Sequence, residues 1–323
     1  MRIRCMSIRK RYLLNMRWTS WALFAAGVIG GADAASLTRV TENFGPNPRN
    51  VGFYIYVPDK LAANPPILVN PHWCHGSAQV CYAGSQYATM ASKYGFIVVY
   101  PDSPNTADKC WDVSSNQTLS HDVGGDSLGI VSMVRWTLNK YKGNPKRVFV
   151  TGVSSGAMMT STLIGAYPDV FAAGSAFAGV PFGCFAGNGY GIWSDACATG
   201  KVTRTPAEWA ALVTAAYPEY NGWRPKMQIF HGTNDETLNY ANFKEEVKEW
   251  NAVLGYSQTP TSTTPNTPVS NWTKYVYGSN NWFEAYSAGG VTHNIQNQEA
   301  VVMSWFDLAC TPGDCFSWGK GGA

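Results

Sequence analysis

Along the chain, short apolar runs alternate with longer stretches in which apolar residues recur at helical spacing. Tyr54-Ile55-Tyr56-Val57, Ile67-Leu68-Val69, Phe96 to Tyr100, Val148-Phe149-Val150 and Met227 to Phe230 have the length of strands, and several are apolar at every position. A strand wetted on one face alternates apolar and polar residues, whereas uninterrupted runs belong inside a parallel sheet covered on both faces. Between these runs, the stretch from Asp126 to Lys142 places Leu128, Val131, Val134, Trp136 and Leu138 near helical spacing, and a second helix is expected from Ala157 to Tyr167, just after a glycine. Alternating strand and helix implies an α/β layer fold with a mostly parallel central sheet and helices on both faces. No internal repeat is visible. The Ser-, Thr- and Pro-rich segment Ser257 to Ser270 reads as a surface loop, because residues on both sides of it are needed by the chemistry below.

Composition narrows this picture. With 323 residues, 45% hydrophobic and 14% aromatic, the chain can bury one sizeable core. Charged residues make up only 14% and the formal net charge is +3. Lys and Arg are scattered over the later chain, so no basic stripe follows a phosphate backbone and nucleic acid is not an expected partner. The start differs from the rest. Arg2, Arg4, Arg9, Lys10 and Arg11 precede an apolar run from Trp21 to Ala32, and Ala32-Asp33-Ala34 supplies the small residues of an export cleavage site. Residues 1–34 are therefore expected to be a signal peptide, with Ala35 as mature start and Met16 as an alternative first residue. A run of about a dozen apolar residues is short of the roughly twenty that span a bilayer, so no membrane anchor is expected.

Once the signal with Cys5 is removed, seven cysteines remain: Cys74, Cys81, Cys110, Cys184, Cys197, Cys310 and Cys315. An odd number leaves one thiol unpaired, and short separations favour Cys184 with Cys197 and Cys310 with Cys315. The chain has no C-x-x-C and no clustered set of ligands, so neither a metal nor another cofactor is expected. Asn116-Gln117-Thr118 and Asn271-Trp272-Thr273 are acceptor sequons, expected at the surface.

The chemistry centres on Gly152-Val153-Ser154-Ser155-Gly156. A strand, Arg147 to Thr151, runs into this pentapeptide and a helix leaves it, which is the setting of a nucleophile elbow in an α/β-hydrolase fold. Ser154 is the expected nucleophile, because Ser155 lacks a glycine two positions before it. In this fold the acid and then the histidine follow the serine, each after a later strand. Asp235 follows the strand ending at Phe230, with Glu236 its immediate rival. His293 follows the run Phe283 to Tyr286 in a glycine-bearing loop before a final helix. Of the other histidines, His72, His75 and His121 precede these strands or lie in earlier loops, and His231, at a strand end, is expected to hydrogen-bond structurally. Oxyanion donors are expected from the backbone N–H of Ser155 and from the loop Asn70 to Gly76.

Several long segments in order resemble one family. Pro101-Asp102-Ser103-Pro104, Cys110 to Ser115, Gly152 to Met159, Pro225 to Ile229 and His231-Gly232-Thr233 are similar to the fungal family-one carbohydrate esterases, the acetylxylan and feruloyl esterases related to polyhydroxybutyrate depolymerases. The likeness runs from about Ala35 to about Leu308. It implies a secreted serine esterase with Ser154, Asp235 and His293 as the catalytic set, oxyanion N–H groups on Cys74 and Ser155, and a disulfide between Cys74 and Cys110. It further implies action on acylated plant cell-wall xylan; separately, a monomer without cofactor is expected. The esterase domain is expected over 35–309, followed by a short tail, 310–323, that has no counterpart and no binding module. Asn70-Pro71 departs from the small apolar residue that relatives place before the loop histidine.

Trp193 resembles a tryptophan of the acetylxylan esterases at a place where feruloyl esterases tend to have proline. An indole there would narrow the acyl pocket in favour of acetyl. Gly124 to Ile130 and Cys184-Phe185-Ala186-Gly187 look more like the feruloyl members, which leaves ferulate as the alternative. Two further classes share some of these features: a non-catalytic carbohydrate-binding protein would have no need of the ordered serine, acid and histidine, and a serine peptidase would differ by cleaving peptides.

Overall fold

In the computed structural model, which describes residues 35–187, 189–310 and 313–319, the strand runs assemble into one ten-stranded sheet. The strands are β1 (Thr38–Arg39), β2 (Gly52–Tyr56), β3 (Ile67–Val69), β4 (Ile97–Asp102), β5 (Val148–Val153), β6 (Ala173–Phe177), β7 (Lys226–Gly232), β8 (Ser262–Pro265), β9 (Trp272–Tyr277) and β10 (Phe283–Ala288). The helices are α1 (Ala78–Gly84), α2 (Tyr87–Tyr94), α3 (Gly125–Tyr141), α4 (Ser155–Ala166), α5 (Asp195–Ala198), α6 (Pro206–Ala215), α7 (Ala241–Val253) and α8 (Glu299–Phe306). The spatial order is β1-β2-β4-β3-β5-β6-β7-β10-β9-β8. From β4 to β10 neighbouring strands are parallel; β1, β2, β9 and β8 add antiparallel margins.

The period-2 alternation of side chains divides each central strand between two cores. Ile97 and Val99 of β4, Val148 and Val150 of β5, and Met227 and Ile229 of β7 face one layer, shared with α3, α4, α6 and α7. Val98, Tyr100, Phe149 and Phe230 face the other, shared with α1, α2 and α8. Both faces are dry, which is why these runs carry no polar alternation.

Two elements depart from the sequence reading. The segment expected as a surface loop contains β8, exposed at all four positions and paired to β9. An edge strand needs no buried face, so its Ser and Thr leave no apolar signature. β6 has the sequence Ala-Gly-Ser-Ala-Phe, fully buried between β5 and β7. Its position in the sheet, rather than large apolar side chains, makes it a strand.

The disulfides are Cys74–Cys110, Cys184–Cys197 and Cys310–Cys315, and Cys81 is a free thiol buried in α1. Burial pushes that thiol up to about 12, so it stays protonated and unreactive. The expected signal peptide, 1–34, lies outside the described residues.

Candidate active site

At the carboxyl edge of the parallel strands, β5, β7 and β10 deliver the expected residues to one place. Ser154 follows β5 directly with φ +57° and ψ −122°, a left-handed conformation that a non-glycine residue adopts only under constraint. The constraint is close packing. A Cβ on Gly152 would lie 2.5 Å from the carbonyl carbon of Gly156, and a Cβ on Gly156 would collide with the carbonyl oxygens of Pro71 and His72. The two glycines of the motif are thus required by β5 meeting α4 and by the Asn70–Gly76 loop lying across them. Ser154 precedes α4 without capping it, which leaves its hydroxyl for other work.

That hydroxyl lies 2.8 Å from His293 Nε2, and His293 Nδ1 lies 2.8 Å from Asp235 Oδ2. An ionised carboxylate can only accept, so Nδ1 carries the proton and Nε2 is left to accept the serine hydroxyl. Asp235 is 5% exposed. Its Oδ1 accepts the N–H groups of Thr237 at 2.9 Å and Leu238 at 2.8 Å, which fixes the carboxylate plane. Burial pushes this carboxyl up, but hydrogen bonds from His231 and His293 outweigh it and hold it well below the usual carboxylate range. Glu236, the rival acid, does not meet the imidazole; its carboxylate accepts the backbone N–H of His293 at 3.1 Å. Ser155 is likewise occupied, since its Oγ accepts the N–H of Trp111 at 2.7 Å.

The loop opposite the serine is held from several directions. Asn70 Nδ2 donates to Thr151 O at 2.7 Å, and Trp111 Nε1 donates to His72 O at 2.7 Å. The buried His72 spans the loop: Nδ1 lies 2.7 Å from Trp73 O, and Nε2 accepts the N–H of Ser103 at 3.0 Å. Burial lowers its proton affinity, in keeping with a neutral ring. The Cys74–Cys110 bridge closes the loop and puts Cys74 on the cleft wall. The Ser155 N–H is among the first of α4, which have no carbonyl one turn back to bind. Asn70-Pro71 therefore keeps the loop against the elbow, with the asparagine supplying a tether to β5.

Ser154 and His293 open into a cleft of about 970 Å³ lined also by Trp73, His75, Trp193, Glu236 and Asn297. Trp193 is 48% exposed and rests edge-on against Phe185 with centroids 5.1 Å apart. Its segment is braced beneath by the Cys184–Cys197 bridge and by buried Asp112 and Ser114, which accept the N–H groups of Gly191 and Ile192 at 3.1 and 2.8 Å. The sequence assigns no bracing role to His72 or Asp112, because their partners lie 31 and 79 residues away and no local pattern links them.

Comparison with known proteins finds related esterases. Residues 51–257 match the family model of the esterase PHB depolymerases. The chain is 50% identical over 276 residues to acetylxylan esterase A of Aspergillus oryzae, covering 84% of this chain and 89% of that one. It is 44% identical over 289 residues to feruloyl esterase B of Talaromyces stipitatus, covering 88% and 80%. An acetyl xylan esterase structure from Aspergillus awamori superposes with a TM-score of 0.82 at 45% identity, over 85% of this chain and all of that one.

Proposed function

This chain belongs to the esterase family of the PHB depolymerases, and on that premise we propose that it is a serine esterase removing acetyl groups from plant xylan. The observation that carries the proposal is the pair of 2.8 Å contacts linking Ser154, His293 and Asp235 at an open cleft. In the forward step His293 Nε2 takes the Ser154 proton as the oxygen attacks the ester carbonyl. The N–H groups of Cys74 and Ser155 hold the oxyanion. His293 returns the proton to the departing sugar oxygen, which leaves as a hydroxyl and leaves acetyl on Ser154. Water, deprotonated by the same imidazole, then releases acetate and restores the serine. Asp235 keeps the ring in its Nδ1–H tautomer and balances the imidazolium charge as it forms.

The half-exposed Trp193 offers a platform for a sugar ring of the polymer beside the serine. A second reading, release of ferulate, is favoured by the cleft volume of about 970 Å³, which exceeds what an acetyl group needs, and by the feruloyl esterase relative. Incubation with acetylated, feruloylated plant xylan separates the two: acetate in clear excess over ferulate is expected, and ferulate release with no acetate would overturn the acetyl assignment. The Ser154→Ala variant serves as blank.

We further propose that the protein is exported and works outside the cell. The three disulfides among the described residues support an oxidising destination. Recovery from culture medium with Ala35 at the amino terminus is the expected result, and retention of an uncleaved chain inside the cell would count against it.

A further inference from the structure

A buried histidine stands directly behind Asp235. His231, near the end of β7, is 0% exposed, and its Nε2 lies 3.2 Å from Asp235 Oδ2, the same oxygen that meets His293 Nδ1 at 2.8 Å. Nε2 also lies 2.8 Å from Leu238 O. A carbonyl can only accept, so this nitrogen carries a proton. On the far side of the ring, Nδ1 has no hydrogen-bond partner and faces Glu246 Oε2 at 4.0 Å. Glu246, brought in by α7, is itself 1% exposed.

Tyr240 and Phe243, both uncharged, approach the ring with centroids 6.0 and 6.5 Å away. Glu249, three residues on from Glu246, accepts the N–H of Phe182, and burial pushes its carboxyl well above the usual range. His231 is thus flanked by an acid on each side in a dry interior, where burial pushes the Glu246 carboxyl above its usual range and the adjoining ring opposes that shift. A neutral ring would leave both acids without a counter-cation, the costly case for buried charge. Burial disfavours the protonated ring, but the two acids outweigh it and lift its proton affinity to about 9.

We propose that His231 is a positioning residue of the acyl-transfer site: as an imidazolium sustained by Glu246, it anchors Asp235 from behind and shares that carboxylate's charge with His293. The proposal rests on the reading of Ser154, His293 and Asp235 as the reacting set. Its consequence is a division of labour at one oxygen. Asp235 must orient His293, but an unshared carboxylate would bind the protonated imidazole too firmly and keep the base occupied to higher pH. A second cation on the same oxygen weakens that hold.

The test is the pH dependence of kcat/KM on p-nitrophenyl acetate for the mature protein, Glu246→Gln, His231→Gln and Asp235→Asn. Loss of the imidazolium charge is expected to move the acidic limb upward by about one pH unit in both of the first two variants. KM should change by less than about twofold, because neither side chain touches substrate, and His231→Gln should also lose about tenfold in kcat. A limb that is unmoved or lowered in whichever of the two variants folds would overturn the proposal, since a merely structural role would reduce the active fraction without shifting the limb. Asp235→Asn separates this failure from a wrong triad: if that variant keeps wild-type turnover, the underlying reading fails instead.

Discussion

At Ser154 a strained backbone and a hydroxyl aimed at an imidazole coincide, and the two serines of the motif have opposite duties. Ser154 Oγ meets an imidazole, whereas Ser155 Oγ accepts the N–H of Trp111 and is 2% exposed. Ser154→Ala should therefore abolish turnover, by about 10⁴-fold or more, while leaving the melting temperature within a few degrees. Ser155→Ala should do the reverse: it strands a buried N–H and costs roughly 1–3 kcal/mol of stability, with the reactive hydroxyl still in place. Parallel thermal melts and fluorophosphonate labelling check both. Equal labelling of wild type and Ser154→Ala would exclude Ser154 as nucleophile.

The start of α3 carries an electrostatic cost that the sequence conceals. Asp126, in the first turn, is 0% exposed, accepts the N–H of Asp112 at 3.0 Å and lies 3.3 Å from the hydroxyl of Tyr190. Burial, added to the nearby Asp112 carboxylate, outweighs these hydrogen bonds and pushes its carboxyl up to about 7. In the unfolded chain the same group ionises near pH 4, so the folded state binds the extra proton between about pH 4 and 7. Stability therefore falls as pH rises through that window, by about 1.4 kcal/mol per unit at most from this group. Asp126→Asn should remove that slope, stabilising the protein at pH 7 more than at pH 4. Melting temperatures across the window that run parallel for both proteins would refute this origin. Because Tyr190 sits in the segment that carries Trp193, the same element couples the sheet's support to the cleft wall.

Over the whole molecule, the two edges of the parallel sheet serve different purposes. The carboxyl edge holds the cleft. At the amino edge the described part of the tail folds back: Phe316 stacks near Phe149 with centroids 6.2 Å apart, and Trp318 Nε1 donates to Pro168 O at 2.7 Å. The Lys226 ammonium lies 3.7 Å from the Phe316 ring centroid. The short tail expected from the sequence is thus part of the packing that closes this edge. Truncation after Ala309 should cost on the order of 2–4 kcal/mol, the scale of deleting large aromatic contacts, and lower the melting temperature while the surviving folded fraction keeps its kcat. A matching loss of kcat would show that the two edges are coupled.

Much of this was legible along the chain, because some determinants are local. Uninterrupted apolar runs mark strands buried on both faces, and a strand, a glycine-flanked serine and a helix mark the elbow, whose sterics act within five residues. The chain order of Ser154, Asp235 and His293 follows from which strand ends each must occupy. What the sequence left open depends on distance in space: that β6 is a strand at all, that Asp235 rather than Glu236 turns to the imidazole, that Cys81 is the unpaired thiol, and that His231 and Glu246 stand behind the acid. Those outcomes required the closed fold, since hydrogen bonds and burial join groups 139 residues apart as readily as neighbours. Only the packed sheet removes the water that would otherwise make such pairings weak.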